Sequence, residues 1–176
     1  MNKLHITRRQ WISFFKWALY TLACLFTIVL QTTSLGRVTL FGAKFNLVPS
    51  YIVCIALTEG SERGGVFALL ASLLWTLTGS DFGFVSIVVL TAAAVFGAWL
   101  CSAYLFNTLL PCVSLCLLTL LVHESLIFLL RLYLGRVVPV QYLVTLLPGV
   151  AISLAGCPPF FALTRAIHKT GGAYGT

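Results

Sequence analysis

Glu124 is the residue whose position in this sequence most strongly suggests chemistry. It lies inside a long apolar run, directly after His123. An ionisable group at membrane depth is costly, so it normally faces the protein interior and has a partner. The candidate partners are His123, Arg131 and a backbone amine freed elsewhere. Glu124 is therefore either a pocket, relay or partner-contact residue, or a protonated or paired carboxylate that holds two helices together.

Three further side chains with ligand chemistry lie in the same run. Cys112, Cys116 and His123 are spaced so that one helix face could carry all three, as in a metal site. A structural zinc site usually takes four ligands, and the sequence offers no fourth candidate nearby. A buried cysteine otherwise behaves as a small hydrophobic residue. We therefore expect no bound metal and no cofactor.

The three other acidic residues lie in two polar turns. Glu59 and Glu62 belong to the turn Glu59–Gly64, and Asp81 belongs to the turn Gly79–Gly83. The simplest interpretation is that they are solvated turn residues, since Asp commonly bonds its own backbone in such turns. None has a second carboxylate at a spacing suited to a metal or an acid–base pair. Because no G-x-S-x-G, H-E-x-x-H or P-loop motif is present either, we expect no enzymatic activity.

The composition defines the class of protein that must position these residues. The chain has 176 residues, of which 60% are hydrophobic and 9% charged, and its mean hydropathy is +1.03. Soluble domains carry about 25% charged residues, so too few polar side chains remain to cover a water-facing surface. The apolar runs do not alternate as the strands of a membrane barrel would. The net charge of +7 fits basic residues that flank membrane spans, and we expect no nucleic-acid partner.

The apolar runs predict an all-α integral membrane protein with six transmembrane helices in one bundle and a single domain. The second and third spans are short for a bilayer, which favours a tight helical hairpin. Pro49 lies in the first turn of the second span, where a missing N–H is tolerated. Pro148, Pro158 and Pro159 predict a kinked last helix that faces other protein. The predicted spans cover about residues 17–35, 45–58, 64–78, 84–105, 110–130 and 142–163.

Six spans place both termini on one side of the membrane, and the basic residues favour the cytoplasmic side. Seven lie on that side and four on the other. The inner set is Lys3, Arg8, Arg9, Lys16, Arg63, Arg165 and Lys169, and the outer set is Arg37, Lys44, Arg131 and Arg136.

Several short motifs between residues 46 and 165 form one pattern. In chain order they are Pro49 near the start of a short span, the A-L-x-E-G turn that ends at Glu59 and Gly60, the basic-Gly step Arg63–Gly64, the G-x-x-x-G turn from Gly79 to Gly83, and Pro158–Pro159 in the last helix before Arg165. Together they resemble the bacterial rod shape-determining protein MreD family.

The chain departs from that family at three positions. Trp75 stands where an Asp is frequent, Ala71 where a Gly is common, and Asn46 in place of an acidic residue.

The resemblance implies a non-enzymatic scaffold in the lipid of the bacterial inner membrane. Proteins of this family act in cell elongation with an MreC-like protein, an MreB-like filament, a RodA-like glycosyltransferase and a class B penicillin-binding protein. Their fold is similar to the six-helix substrate-binding subunit of energy-coupling-factor vitamin transporters. The alternative function is therefore that of such a transporter subunit. For a scaffold, we expect contact surfaces around Pro49, the two polar turns and the small-residue face of the fourth helix, which comprises Ala92–Ala94, Gly97 and Ala98.

Overall fold

A computed structural model describes residues 8–35, 46–79, 83–104, 108–135 and 139–172. Within these ranges, every regular element is helical. The predicted all-α class is therefore confirmed for the described part of the chain. The elements are α1 (Arg8–Leu30), a π-helical turn (Gln31–Leu35), α2 (Leu47–Glu59), α3 (Ser61–Leu77), α4 (Gly83–Tyr104), α5 (Leu109–Tyr133), α6 (Pro139–Ala155) and α7 (Cys157–Gly172).

Among the residues that the structure describes, four helical segments are long and apolar enough to cross a membrane. They are Gln10–Thr33, Gly83–Ala103, Leu109–Tyr133 and Leu146–Thr170, and the last of them includes the break between α6 and α7. By contrast, the 13 residues of α2 extend over about 20 Å, which is less than the ~30 Å of a bilayer core. The structure thus supports a helical membrane protein with four candidate spans and leaves the predicted second and third spans as shorter helices.

Helix α2 forms the centre of the bundle. It contacts each of the other six helices, and the ten residues from Val48 to Leu57 are all buried. Pro49 lies in its first turn, as predicted, where its missing N–H needs no partner within the helix. A helix that is apolar on every side belongs in a protein interior, which is where this one lies.

The link between α2 and α3 is shorter than predicted. Glu59 is the last residue of α2, Ser61 is the first of α3, and Gly60 alone joins them. Gly60 has a φ of +90°, a backbone conformation that only glycine adopts without strain. The prediction of a six-residue turn from Glu59 to Gly64 was wrong because one glycine is enough to reverse the chain.

The last predicted span is two helices. The predicted helix 142–163 is interrupted at Gly156, between α6 and α7. Pro158 and Pro159 follow in the first turn of α7, where the first N–H groups of a helix lack intrahelical partners in any case. Pro148 lies within α6. The break therefore replaces the predicted kink, and α7 extends past Arg165 to Gly172.

Candidate functional site

One polar cluster, the Glu59 cluster, joins three helices at one end of the bundle. It consists of Glu59 from α2, Lys16 and Tyr20 from α1, and His168 from α7. Lys16 Nζ donates to Glu59 Oε2 at 2.6 Å, and His168 Nδ1 lies 2.8 Å from Oε1. The Tyr20 hydroxyl lies 2.9 Å from Oε1 and 3.1 Å from the Thr164 carbonyl oxygen, and it donates its proton between these acceptors.

The Glu59 side chain is only 2% exposed. The interpretation of Glu59 as a solvated turn residue was therefore wrong, whereas Glu62 and Arg63 are exposed as expected. Sequence reasoning missed Lys16, Tyr20 and His168 as its partners, because they are more than thirty residues away along the chain. Removing the Glu59 carboxylate would leave the buried Lys16 ammonium without its ion-pair partner, so this cluster stabilises the packing of α1 and α7 on α2.

A second polar cluster, the Glu124 cluster, lies where α2 begins. Asn46 Nδ2 donates to Glu124 Oε1 at 3.0 Å, and Gln31 Nε2 donates to Asn46 Oδ1 at 3.3 Å. Gln31 Oε1 accepts the backbone N–H groups of Leu47 and Val48 at 3.0 and 3.1 Å. Two candidate residues that lie far apart in sequence, Asn46 and Glu124, are thus in direct contact, and Gln31 satisfies the first N–H groups of α2.

His123 lies next to this cluster. Its Nε2 lies 3.0 Å from the Ser86 hydroxyl of α4, and its ring stacks at 5.8 Å on Trp75 of α3. Its Nδ1 is 3.6 Å from Glu124 Oε1, which is too long for a hydrogen bond. The side chain is buried. His123 therefore links α5 to α3 and α4. It does not share a group of potential metal ligands with Cys112 and Cys116.

The candidate glycines allow close approaches. A Cβ atom on Gly64 would lie 2.5 Å from the Ala56 Cα, so α2 and α3 can touch only because Gly64 has no side chain. Gly83 packs in the same way against Thr76. Gly79 has a φ of +90° and ends the turn after α3. Asp81, the remaining candidate in that turn, lies outside the described residues.

The small-residue face of α4 is buried at three of its five positions. Ala94, Gly97 and Ala98 are buried, and Gly97 faces the Leu115 side chain. Ala92 is exposed and Ala93 is half-buried, so contact of this face with a partner protein stays a prediction. Small residues allow helices to approach closely, and here they pack α4 inside the bundle.

Four cysteines meet in the interior, beside α2. The Sγ atoms of Cys54, Cys112, Cys116 and Cys157 all lie within 4.8 Å of one another, and all four residues are buried. Sequence reasoning found Cys112 and Cys116 but found no further ligand near them. That conclusion was wrong because Cys54 and Cys157 come from helices that are distant in sequence. No local spacing signalled their convergence.

The Glu124 cluster and the Glu59 cluster lie at opposite ends of α2, and each links helices of the core to one another. Glu59, Glu124 and His123 each bond to a side chain of another helix. Comparison of the chain with family models, with curated proteins and with solved structures found no match.

Proposed function

We propose that this protein is a non-enzymatic scaffold of the bacterial inner membrane, similar to MreD, which binds other membrane proteins of the cell-elongation machinery. One observation carries the proposal. Three of the residues on which the resemblance rests hold the bundle together: Glu59 joins α1, α2 and α7, Gly60 reverses the chain, and Gly64 lets α3 touch α2. Motif residues that also stabilise the bundle support an architecture shared with the MreD family.

The interior favours a scaffold over the alternative transporter subunit. A substrate site needs polar groups that are directed into a cavity. Here Asn46, Glu59 and Glu124 have their hydrogen bonds within the protein. Binding to partner proteins would then use the outer helix faces, which carry large exposed apolar side chains on α1 and α3. In lipid such faces associate through packing and do not require polar groups.

The charges support the proposed orientation with both termini in the cytoplasm. Lys16 and His168 meet Glu59 at one end of the bundle, and Arg63 lies in the first turn of α3 at the same end. An excess of basic residues marks the cytoplasmic side of membrane proteins. In this arrangement, the short helices α2 and α3 form a hairpin whose Gly60 bend faces the cytoplasm.

Depletion of the protein in its own host tests the function. We expect elongated cells to become wider and rounder as the protein is lost, and renewed expression to restore their shape. A host that keeps its shape but comes to need an added vitamin would contradict the scaffold proposal. That result would instead support the substrate-binding subunit of an energy-coupling-factor-type transporter.

A further inference from the structure

The four-cysteine cluster has no role in the proposed scaffold function. Cys54 comes from α2, Cys112 and Cys116 from α5, and Cys157 from the start of α7. The Sγ separations are 3.5 Å for Cys54–Cys112, 4.0 Å for Cys54–Cys157, 3.7 Å for Cys112–Cys157 and 3.4 Å for Cys116–Cys157. These distances exceed the ~2.05 Å of a disulfide bond, so the four groups are separate thiols.

The separations match those around a tetrahedral metal ion. A Zn–S bond of ~2.3 Å gives neighbouring sulfurs about 3.8 Å apart at the corners of a tetrahedron. Two packed thiols also approach this distance, but four converging thiols form a complete ligand set. Four of the six cysteines in the chain bring their sulfur atoms within 4.8 Å of one another, from three separate helices. This space holds one ion and not a cluster of several irons with bridging sulfides.

Helix ends favour the anionic form that the ligands must take. Cys157 is the first residue of α7, and Cys112 is the fourth residue of α5, at the end of its first turn. The N-terminal end of a helix carries a partial positive charge, which stabilises a nearby thiolate. Two such ends converge on the four sulfurs and offset part of the negative charge of a tetrathiolate site.

We propose that Cys54, Cys112, Cys116 and Cys157 bind one Zn²⁺ ion as a structural site within the bundle. Four thiolates are a closed ligand set for Zn²⁺, with no position left for water or substrate, and they suit neither Mg²⁺ nor Ca²⁺. Binding replaces the four thiol protons, which pass to solvent. The ion ties α2 to α5 and α7, at a position about 8 Å along α2 from Glu59.

Metal analysis of the full-length protein tests this site. The protein is purified in detergent under reducing conditions, its affinity tag is removed, and zinc is measured by mass spectrometry. We expect one Zn²⁺ per chain, and replacement by Co²⁺ should give the absorption bands of a tetrahedral thiolate complex. Cys54→Ser and Cys157→Ser should weaken metal binding by more than the ~10–100-fold that follows loss of a supporting residue. Cys24→Ser and Cys101→Ser, which change buried cysteines outside the cluster, should retain the ion.

Alkylation of the wild-type protein provides a readout that needs no variant. We expect a chelator to increase labelling of the four cluster cysteines by a thiol reagent, while Cys24 and Cys101 stay unchanged. Wild-type protein that takes up neither Zn²⁺ nor Co²⁺ would overturn the proposal, as would a disulfide within the cluster. Equal metal content in the cluster variants and the controls would also overturn it. None of these results would alter the depletion phenotype, so the two proposals can fail separately.

Discussion

The contact between Gly64 and Ala56 can be tested with a single methyl group. Gly64→Ala adds a Cβ atom that would lie 2.5 Å from the Ala56 Cα and 2.9 Å from its Cβ. The first of these is a backbone atom, which cannot move without displacing α2. Because α2 contacts every other helix, we expect the substitution to be felt through the whole bundle.

Two opposing terms determine the size of the effect. Replacing glycine by alanine within a helix stabilises it by roughly 0.5–1 kcal/mol, whereas forcing an extra group into a packed core costs about 1–3 kcal/mol. We therefore expect a net loss of up to about 2.5 kcal/mol in the free energy of unfolding. Gly97→Ala is the matched control, since its Cβ would lie 3.7 Å from a Leu115 side-chain atom, an ordinary contact. That variant should be neutral or slightly more stable than the wild type.

Unfolding of the purified protein in mixed micelles by increasing fractions of a denaturing detergent would measure both variants. Far-UV circular dichroism and tryptophan fluorescence follow the transition. If Gly64→Ala is as stable as the wild type, the reasoning about the α2–α3 contact is refuted. An equal loss in Gly97→Ala would refute it too, because the effect would then not be specific to the close approach.

Three further predictions concern the polar clusters and the orientation. Glu59→Gln should lower the free energy of unfolding by about 1.5–3 kcal/mol, the usual worth of hydrogen bonds to charged groups, while the exposed Glu62→Gln should leave thermal stability unchanged. Glu124→Leu should reduce accumulation in the membrane because Asn46 loses its acceptor, at a cost of about 1–3 kcal/mol, and Glu124→Gln should be milder. Normal levels of the Leu variant would show that the contact is unimportant. Fluorescent-protein and phosphatase fusions at either terminus should report both termini in the cytoplasm, and one outward terminus would contradict the proposed arrangement.

The sequence predicted those parts of the fold that follow from local patterns. Long apolar runs indicated α1, α4 and α5, and two short apolar runs on either side of a polar turn indicated the α2–α3 hairpin. Apolarity alone could not locate the division between α6 and α7 at Gly156, since the run continues through it. It also could not show that α3 begins directly after Gly60, because the polar residues after that glycine are compatible with either a loop or the start of a helix.

Individual site residues could be predicted from the sequence, but the side chains that they contact could not. Glu124 stood out because an ionisable group in an apolar run needs a partner, whereas Asn46 and Glu59 stood out only through the motif pattern. Their actual partners come from other helices, and the pairing depends on how the bundle packs. His168 is 109 residues from Glu59, and Cys157 is 103 residues from Cys54. No periodicity or spacing within a single helix carries such information.

The central claim is that this protein acts by binding other membrane proteins of cell elongation. Crosslinking in native membranes, followed by recovery of the tagged full-length chain and mass spectrometry, tests it most directly. A chain with the same tag at the same level, carrying Gly64→Ala, serves as the matched control for a disturbed hairpin. We expect recovery of an MreC-like protein together with cell-wall synthesis enzymes, and less of both in the control. Recovery of a pair of ATPases in their place would contradict it.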